Sequence, residues 1–429
     1  LDPISKIGGN PYASTGCGGY EGTSAEDGVC LLNTQRLIGI VPKTEDISAM
    51  GRLTYKLNDS FNAIGEYVYA KNKVTSAIAP DVYNGNNKVT ISNTSKYYPG
   101  QGIVPDVAGI SGGPLQLSLR SQAGNRISES ENESHRVFAG IEGDAYGWDI
   151  NAGVTYAQSK ASDSALSGYL DKAAVQSALN AGSLNPFGPQ AAGDDPDSWN
   201  KLSLSGKYNT AKLESTTADF TVSRPIYTLP AGDVGFAFGG SFRHDKWNSS
   251  VDSELAARLP SLGTDPNNPH QAGQRDISSA FTEFHIPLLK NLEAQLAARY
   301  DNYSDVGSTV NPKIALRWEP LKQLMFRTSY STGFRAPTLY EINKSNSRTL
   351  SPMRDDPVLC PNGVPNTQLG GVKARDCGQQ FDRMQGGNKE LEPEKSTSVT
   401  AGFVLEPIKN LVFSLDYYNI EIKNQISAL

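Results

Sequence analysis

In the stretch 292–301, Leu292, Ala294, Leu296, Ala298 and Tyr300 alternate with Glu293, Gln295, Ala297, Arg299 and Asp301. A period of two sends these sets to opposite faces of a strand. Ile314, Leu316 and Trp318 oppose Lys313, Ala315, Arg317 and Glu319 in the same way, and Leu324, Phe326 and Tyr330 oppose Met325, Arg327, Ser329 and Ser331. Val399, Ala401, Phe403 and Leu405 form another apolar row, as do Leu411, Phe413, Leu415 and Tyr417. Followed along the chain, the pattern predicts about twelve strands. They fall near 45–56, 60–72, 132–142, 149–160, 213–224, 235–248, 277–287, 292–303, 309–319, 324–332, 396–406 and 411–423. Most run about 10 to 12 residues, which exceeds the usual soluble strand and suits one tilted across a bilayer.

The connections are lopsided. Ile286-Pro287-Leu288-Leu289-Lys290-Asn291-Leu292, Glu319-Pro320-Leu321-Lys322-Gln323-Leu324 and Glu406-Pro407-Ile408-Lys409-Asn410-Leu411 are variants of one short turn. Leu57-Asn58-Asp59, 143–148 and 227–233 have the same turn chemistry. Between these hairpins lie long stretches near 73–131, 161–212, 249–276 and 333–395. Structureless loops of that size are rare in compact soluble domains. Short turns at one end and long loops at the other are what a β-barrel across an outer membrane requires. The expected fold is therefore all-β, a transmembrane antiparallel β-barrel with its apolar face in lipid and its charged face in a wet lumen. Inside one loop, 169–181 reads as a helix stopped by Gly182, expected to pack the loop.

Composition sharpens the picture. Of 429 residues only 38% are hydrophobic, and no run approaches about 18 apolar residues, so no transmembrane helix is expected. Barrel strands face lipid with alternate residues only, so their average hydropathy stays low. The 41 glycines and 19 tyrosines suit a barrel with aromatic girdles, and the net charge of −6 argues against nucleic acid as a partner. The alternative on pattern alone is a soluble secreted β-protein with the apolar rows inside. Leu1 opens within a loop-like stretch with no leader, and the chain is expected to be a piece of a longer protein.

Candidate chemistry is sparse. Cys17, Cys30, Cys360 and Cys377 form two local pairs in Gly/Pro/Asn-rich loops, without the CxxC spacing of a zinc site. Two loop-closing disulfides are expected, each restraining its loop by about 3 kcal/mol. Gly109-Ile110-Ser111-Gly112-Gly113 matches the GxSxG hydrolase elbow, but that elbow needs a strand before it and a helix after it, and Pro114 follows here. His135, His244, His270 and His285 are scattered without ligand spacing. Asp194, Asp195 and Asp197 are a weak Ca²⁺ candidate or a solvated acidic turn. Tyr97, Tyr98, Trp199 and Trp247 are expected on or near external loops, to stack on a ligand or to join the interfacial girdle. No cofactor is expected.

The segment Ser329-Tyr330-Ser331-Thr332-Gly333-Phe334-Arg335-Ala336-Pro337-Thr338-Leu339-Tyr340-Glu341 closely resembles a recurrent stretch of TonB-dependent outer-membrane receptors. So does Gly387-Asn388-Lys389-Glu390-Leu391-Glu392-Pro393-Glu394-Lys395-Ser396, followed by a strand and Asp416-Tyr417-Tyr418-Asn419-Ile420. Asn311-Pro312-Lys313 and Asn185-Pro186-Phe187-Gly188 fit the same pattern, and together these motifs cover most of the second half in order. The resemblance implies a 22-stranded barrel of a Gram-negative outer membrane, with a plug domain in its lumen. It also implies uptake of a scarce solute driven by the inner-membrane TonB complex, with a ferric siderophore as the first candidate. Residues 1–429 would then be part of the barrel domain, with the plug and the TonB box outside this chain. Within the motif, Thr332-Gly333 is expected to end a strand, Phe334 to sit in the aromatic belt, and Arg335 to point inward to carboxylates of the plug or lumen. No catalysis is implied. The rival functions are a passive porin or adhesin barrel, and an outer-membrane hydrolase using Ser111.

Overall fold

The computed structural model describes residues 1–17, 23–26, 28–84, 87–380 and 382–427. Twelve strands form one antiparallel sheet in which every neighbour in space is a neighbour along the sheet's own strand sequence. They are β1 (Lys43–Lys56), β2 (Phe61–Ile78), β3 (Arg126–Ala145), β4 (Trp148–Leu170), β5 (Ser203–Leu229), β6 (Gly232–Val251), β7 (His270–Leu289), β8 (Leu292–Tyr303), β9 (Gly307–Leu321), β10 (Leu324–Arg335), β11 (Glu394–Ile408) and β12 (Leu411–Lys423). Each expected strand is present. Most are longer than the alternation indicates, β5 reaching 27 residues. The expected turns shrink accordingly: Tyr227, Thr228 and Leu229 belong to β5 and Asp233 to β6. No helix is long and apolar enough to cross a membrane, which says nothing against crossing by strands.

The repeated proline turn has a geometric explanation. The pairing register slips between Pro287 and Leu289, between Trp318 and Leu321, and between Leu405 and Ile408. Pro287, Pro320 and Pro407 all sit at these bulges, where a residue without an N–H costs the ladder nothing. The glutamate before two of the prolines ties adjacent hairpins together: Glu319 N–H donates to Asn291 O and Glu406 N–H to Gln323 O, each at 2.8 Å. Left-handed residues also tighten the turns, Tyr146 (φ 55°) with Gly147 (φ 73°) between β3 and β4, and Asn410 (φ 69°) in the last of the proline turns.

Register decides which side chains share a face. Trp318, Phe326, Phe403 and Leu415 form one row across β9, β10, β11 and β12. These residues are open, with Trp318 45% and Leu415 64% exposed. Rows of exposed large apolar side chains on this scale, on strands long enough to cross a bilayer, are what a lipid-facing barrel wall presents. The opposite face carries Arg317, Arg327 and Asp416. The apolar rows are therefore the outer wall and the charged rows line the lumen.

The long connections have a core of their own. Tyr83, Val89, Ile91, Tyr97, Tyr98, Leu115, Leu117, Leu170, Val175, Leu179, Leu184 and Trp199 are buried together, drawing on 79–125, 171–202 and the N-terminal segment. Short strands Val89–Ile91 and Leu115–Leu117 pair within this lobe. The loop helix is α1 (Lys172–Asn180), shorter than expected because Tyr169 and Leu170 finish β4 and Asp171 caps the helix, accepting from Ala173 N at 3.0 Å. Gly182 (φ 69°) follows it as the expected stop. Among the described residues the other α-helices are α2 (Ser253–Arg258), α3 (Leu339–Asn343) and α4 (Lys373–Asp376). Both disulfides form as expected, with Cα–Cα separations of 5.6 Å for Cys17–Cys30 and 5.4 Å for Cys360–Cys377.

Candidate functional site

The lumen wall is built from charge pairs held at fixed spacing by the sheet. Arg299 Nη2 lies 2.8 Å from Asp301 Oδ1 and Arg243 Nη2 lies 3.1 Å from Asp245 Oδ2, each pair two residues apart on one strand face. Arg317 Nη1 approaches Glu293 Oε2 across β8 and β9 at 3.5 Å. Arg136 and Arg52 converge on Glu66. Arg327 Nε reaches over β11 to Asp416 Oδ1 at 2.8 Å. That span passes over Gly402, where a Cβ would collide with the Asp416 carboxylate. Pairs this exposed contribute little stability individually. They do give the lumen donors and acceptors that water, a plug or a solute can exchange for one another.

At the upper end of the wall, the start of the longest loop folds back over the lumen face. Arg275, only 5% exposed, donates to Pro337 O at 2.7 Å and pairs with Asp305 at 3.2 Å. Thr338 caps α3 in a reciprocal capping box with Glu341. The helix lies over Gly273 of β7, whose missing side chain leaves room for Leu339 and Asn343. Arg335 is held by both Glu394 (2.8 Å) and Glu341 (3.1 Å). Its partners are thus carboxylates of this chain, and the strand expected to end at Thr332-Gly333 runs on to Arg335. Phe334 packs edge-on against Tyr303, with ring centroids 5.3 Å apart. Arg275 was not singled out from sequence, since its role depends on a carbonyl 62 residues away.

The aromatic candidates are placed differently from expectation. Tyr97, Tyr98 and Trp199 are 0%, 4% and 1% exposed and serve as core of the loop lobe, so no ring face is open for stacking on a solute. Trp247 lies near the upper end of β6, on the lumen-facing row with Gly273, and Tyr340 of the loop helix α3 covers it edge-on at 5.9 Å. The acidic turn is also committed. Asp194 accepts from Lys96 at 2.7 Å and from the Tyr97 hydroxyl, and these partners hold its carboxyl below the usual range. Burial, reinforced by that hydrogen bond, pushes the Tyr97 phenol up to about 12. Asp195 pairs with Lys201, which with the Asp197 amide lowers its carboxyl. Asp197 accepts from Asn200 at 3.3 Å. Among the described residues no group of three or more His, Cys, Asp or Glu side chains is arranged to hold a metal ion. Asp194 and Asp195 are thus each held by a lysine and Asp197 by Asn200, an arrangement that matches the solvated acidic turn better than the Ca²⁺ reading.

Ser111 has neither flank of a hydrolase elbow. It lies in a loop, and its N–H and Oγ both donate to the Asp2 carboxylate, the latter at 3.0 Å. His135 contacts the Tyr67 hydroxyl at 2.9 Å and His244 contacts Asp276 at 2.7 Å, while His270 and His285 lie apart on β7.

A sheet with a lipid-facing apolar wall, a charged inner wall and folded lobes above it defines an outer-membrane β-barrel receptor or channel. A family model described as TonB dependent receptor-like, beta-barrel matches residues 51–429, and the chain belongs to that family. Proteins of this family lie in the outer membrane of Gram-negative bacteria, and so does this one. An iron-regulated outer membrane virulence protein of Vibrio cholerae is 25% identical over 149 residues, covering 34% of this chain and 21% of that protein. Among solved structures, the siderophore receptor PirA from Acinetobacter baumannii superposes with a TM-score of 0.51 at 13% identity, over 89% of this chain and 43% of that one. A variant of the ferric enterobactin receptor PfeA from Pseudomonas aeruginosa, in complex with enterobactin, gives 0.52 at 16% identity over the same shares. At these identities the likeness concerns the fold. The chain spans about a fifth of the length of the curated relative and 43% of these solved chains.

Proposed function

We propose that this chain forms part of the wall and external lobes of a receptor that captures a ferric siderophore at its extracellular loops. The solute then passes through the lumen with energy relayed from the inner-membrane TonB complex to a plug outside this chain. The observation that carries the reading is the pairing of a charged, exchangeable lumen wall with a loop segment, 336–343, folded over that wall's upper end. The iron-regulated relative and the siderophore receptors among the structural neighbours support iron as the cargo. No reaction is assigned, and the commitment of Ser111 Oγ to Asp2 weighs against the hydrolase alternative.

The test is uptake of radio-iron as ferric siderophore by iron-starved cells, with and without the gene. Uptake should require the gene and cease when the proton-motive force is collapsed. Uptake that survives collapse would instead make the protein a passive pore.

A further inference from the structure

The stretch 252–263, between β6 and β7, crosses the inward side of the sheet. Asp252 caps α2, and Leu255 of that helix lies over Gly206 of β5, where a Cβ would come within 3.1 Å of Leu255 Cδ2. Gly206 stands opposite Ala165, and Ala165 opposite Ser128. Ser128 lies an even number of residues along β3 from the lumen-facing Arg136, so this row faces the lumen.

The residues that follow are anchored in succession. Arg258 Nε donates to Asp171 Oδ2 at 2.9 Å, and the same guanidinium lies 3.6 Å from Glu254. Leu259 is wholly buried against Ala165 and Tyr169 at the top of β4. Ser261 Oγ donates to Asp81 Oδ2 at 3.2 Å. Both carboxylates already organise the lobe, Asp171 as the cap of α1 and Asp81 as acceptor of the Leu170 amide. The apolar anchor removes surface from water, and the charged hydrogen bonds on either side of it fix its position.

Gly263 then meets the longest loop. Its φ of 71° favours glycine, and a Cβ there would collide with Arg348 O. Arg348 N–H donates to Gly263 O at 2.9 Å. Arg348 belongs to the paired short strands Ser347–Leu350 and Asp382–Gln385. Nearby, Asn84 of the lobe donates to Gln380 Oε1 at 3.3 Å.

We propose that Arg258–Gly263 is a strap that joins the external lobe and the longest loop into one lid over this flank of the lumen, and that release of the strap opens the flank from outside. The inference rests on the position of the loops over the lumen and is independent of the solute transported.

The test places a cysteine at Leu213, a lumen-facing residue of β5 that is 44% exposed and lies below the strap. Its labelling by a bulky fluorescent maleimide is followed on intact cells carrying the full receptor. In the R258Q/S261A background labelling should be severalfold faster than in L213C alone, with the heat-modifiable gel mobility of the barrel unchanged. R258K keeps the cation and should label at the L213C rate. In hydrogen exchange, R258Q/S261A should loosen 79–125 and 344–393 together. Gly263→Val meets the longest loop directly and should loosen 344–393 alone. Equal labelling rates, or faster exchange confined to 249–269, would each overturn the proposal.

Discussion

Arg335 Nη2 donates to Glu394 Oε1 at 2.8 Å, joining two residues 59 positions apart. They are also the last cross-strand partners of β10 and β11 before the chain leaves the barrel. The same guanidinium holds Glu341, whose carboxylate closes the capping box of α3. One cation thus fixes both roots of the longest loop. Arg335→Gln should raise protease cleavage within 336–393 severalfold while leaving the melting of the barrel nearly unchanged, because the side chain is 42% exposed and worth little globally. Unaltered cleavage would show that the loop is held by other contacts.

The two kinds of apolar residue should respond oppositely to truncation. Leu179 is wholly buried in the loop lobe, so Leu179→Ala should cost that lobe about 2–5 kcal/mol. Leu415 faces lipid at 64% exposure, and Leu415→Ala leaves no cavity for protein to collapse around. Hydrogen exchange in 79–125 and 171–202 should rise for the first variant only. Similar effects from both would mean that the apolar rows of the sheet are packed inside protein.

Acidity should act on the lobe in two stages. Asp81 accepts from Leu170 N at 3.0 Å and Ser261 Oγ at 3.2 Å, and burial raises its carboxyl above 3.8 despite those bonds and nearby Arg126. A raised carboxyl contributes its stability fully below 3.8 and loses it as pH rises through the folded value. Lowering the pH from neutral toward 4 should therefore increase protection of lobe amides that do not bond Asp81, such as that of Leu179, after correction for intrinsic exchange. Asp81→Asn should remove that trend. Below 3.8 the trend should reverse, because Asp194 is lowered by Lys96 and Tyr97 and its contribution is lost as pH falls through its folded value. A monotonic profile in wild type would contradict this.

Gly402 makes the span from Arg327 to Asp416 possible, since a side chain there would meet the carboxylate and the Leu415 carbonyl. Gly402→Val should break the bridge and cost about 1–3 kcal/mol through strain. The change should appear as a lower unfolding temperature in heat-modifiable gel mobility. Gly65→Val on the outer wall, where nothing lies within 4 Å, is the matched control and should be tolerated.

The alternation of Leu292 to Asp301 was readable because one face meets lipid and the other meets water. Above the bilayer both faces are wet, so outward Lys160 and Ser162 carry no contrast with inward Ala161 and Asp163, and the upper length of β4 was invisible to periodicity. The lobe core was hidden for a different reason. Val89–Ile91 and Leu115–Leu117 are three-residue strands, too short to show a period, and their pairing spans distant sequence. Trp199 was conspicuous as an aromatic, but only tertiary packing reveals that it faces inward. The TonB-dependent motif around Arg335 was legible because a strand exit, a proline and a capping box occupy consecutive residues, whereas the clamp from Arg275 to Pro337 joins separate stretches.

Strand lengths are unequal around the wall: β4 has 23 residues and β8 has 12, and β8 passes to β9 through only three. After allowing for tilt, the difference amounts to about 25 Å of height above the lower rim. A molecule drifting over the cell surface therefore meets a parapet on one flank and a doorstep on the other.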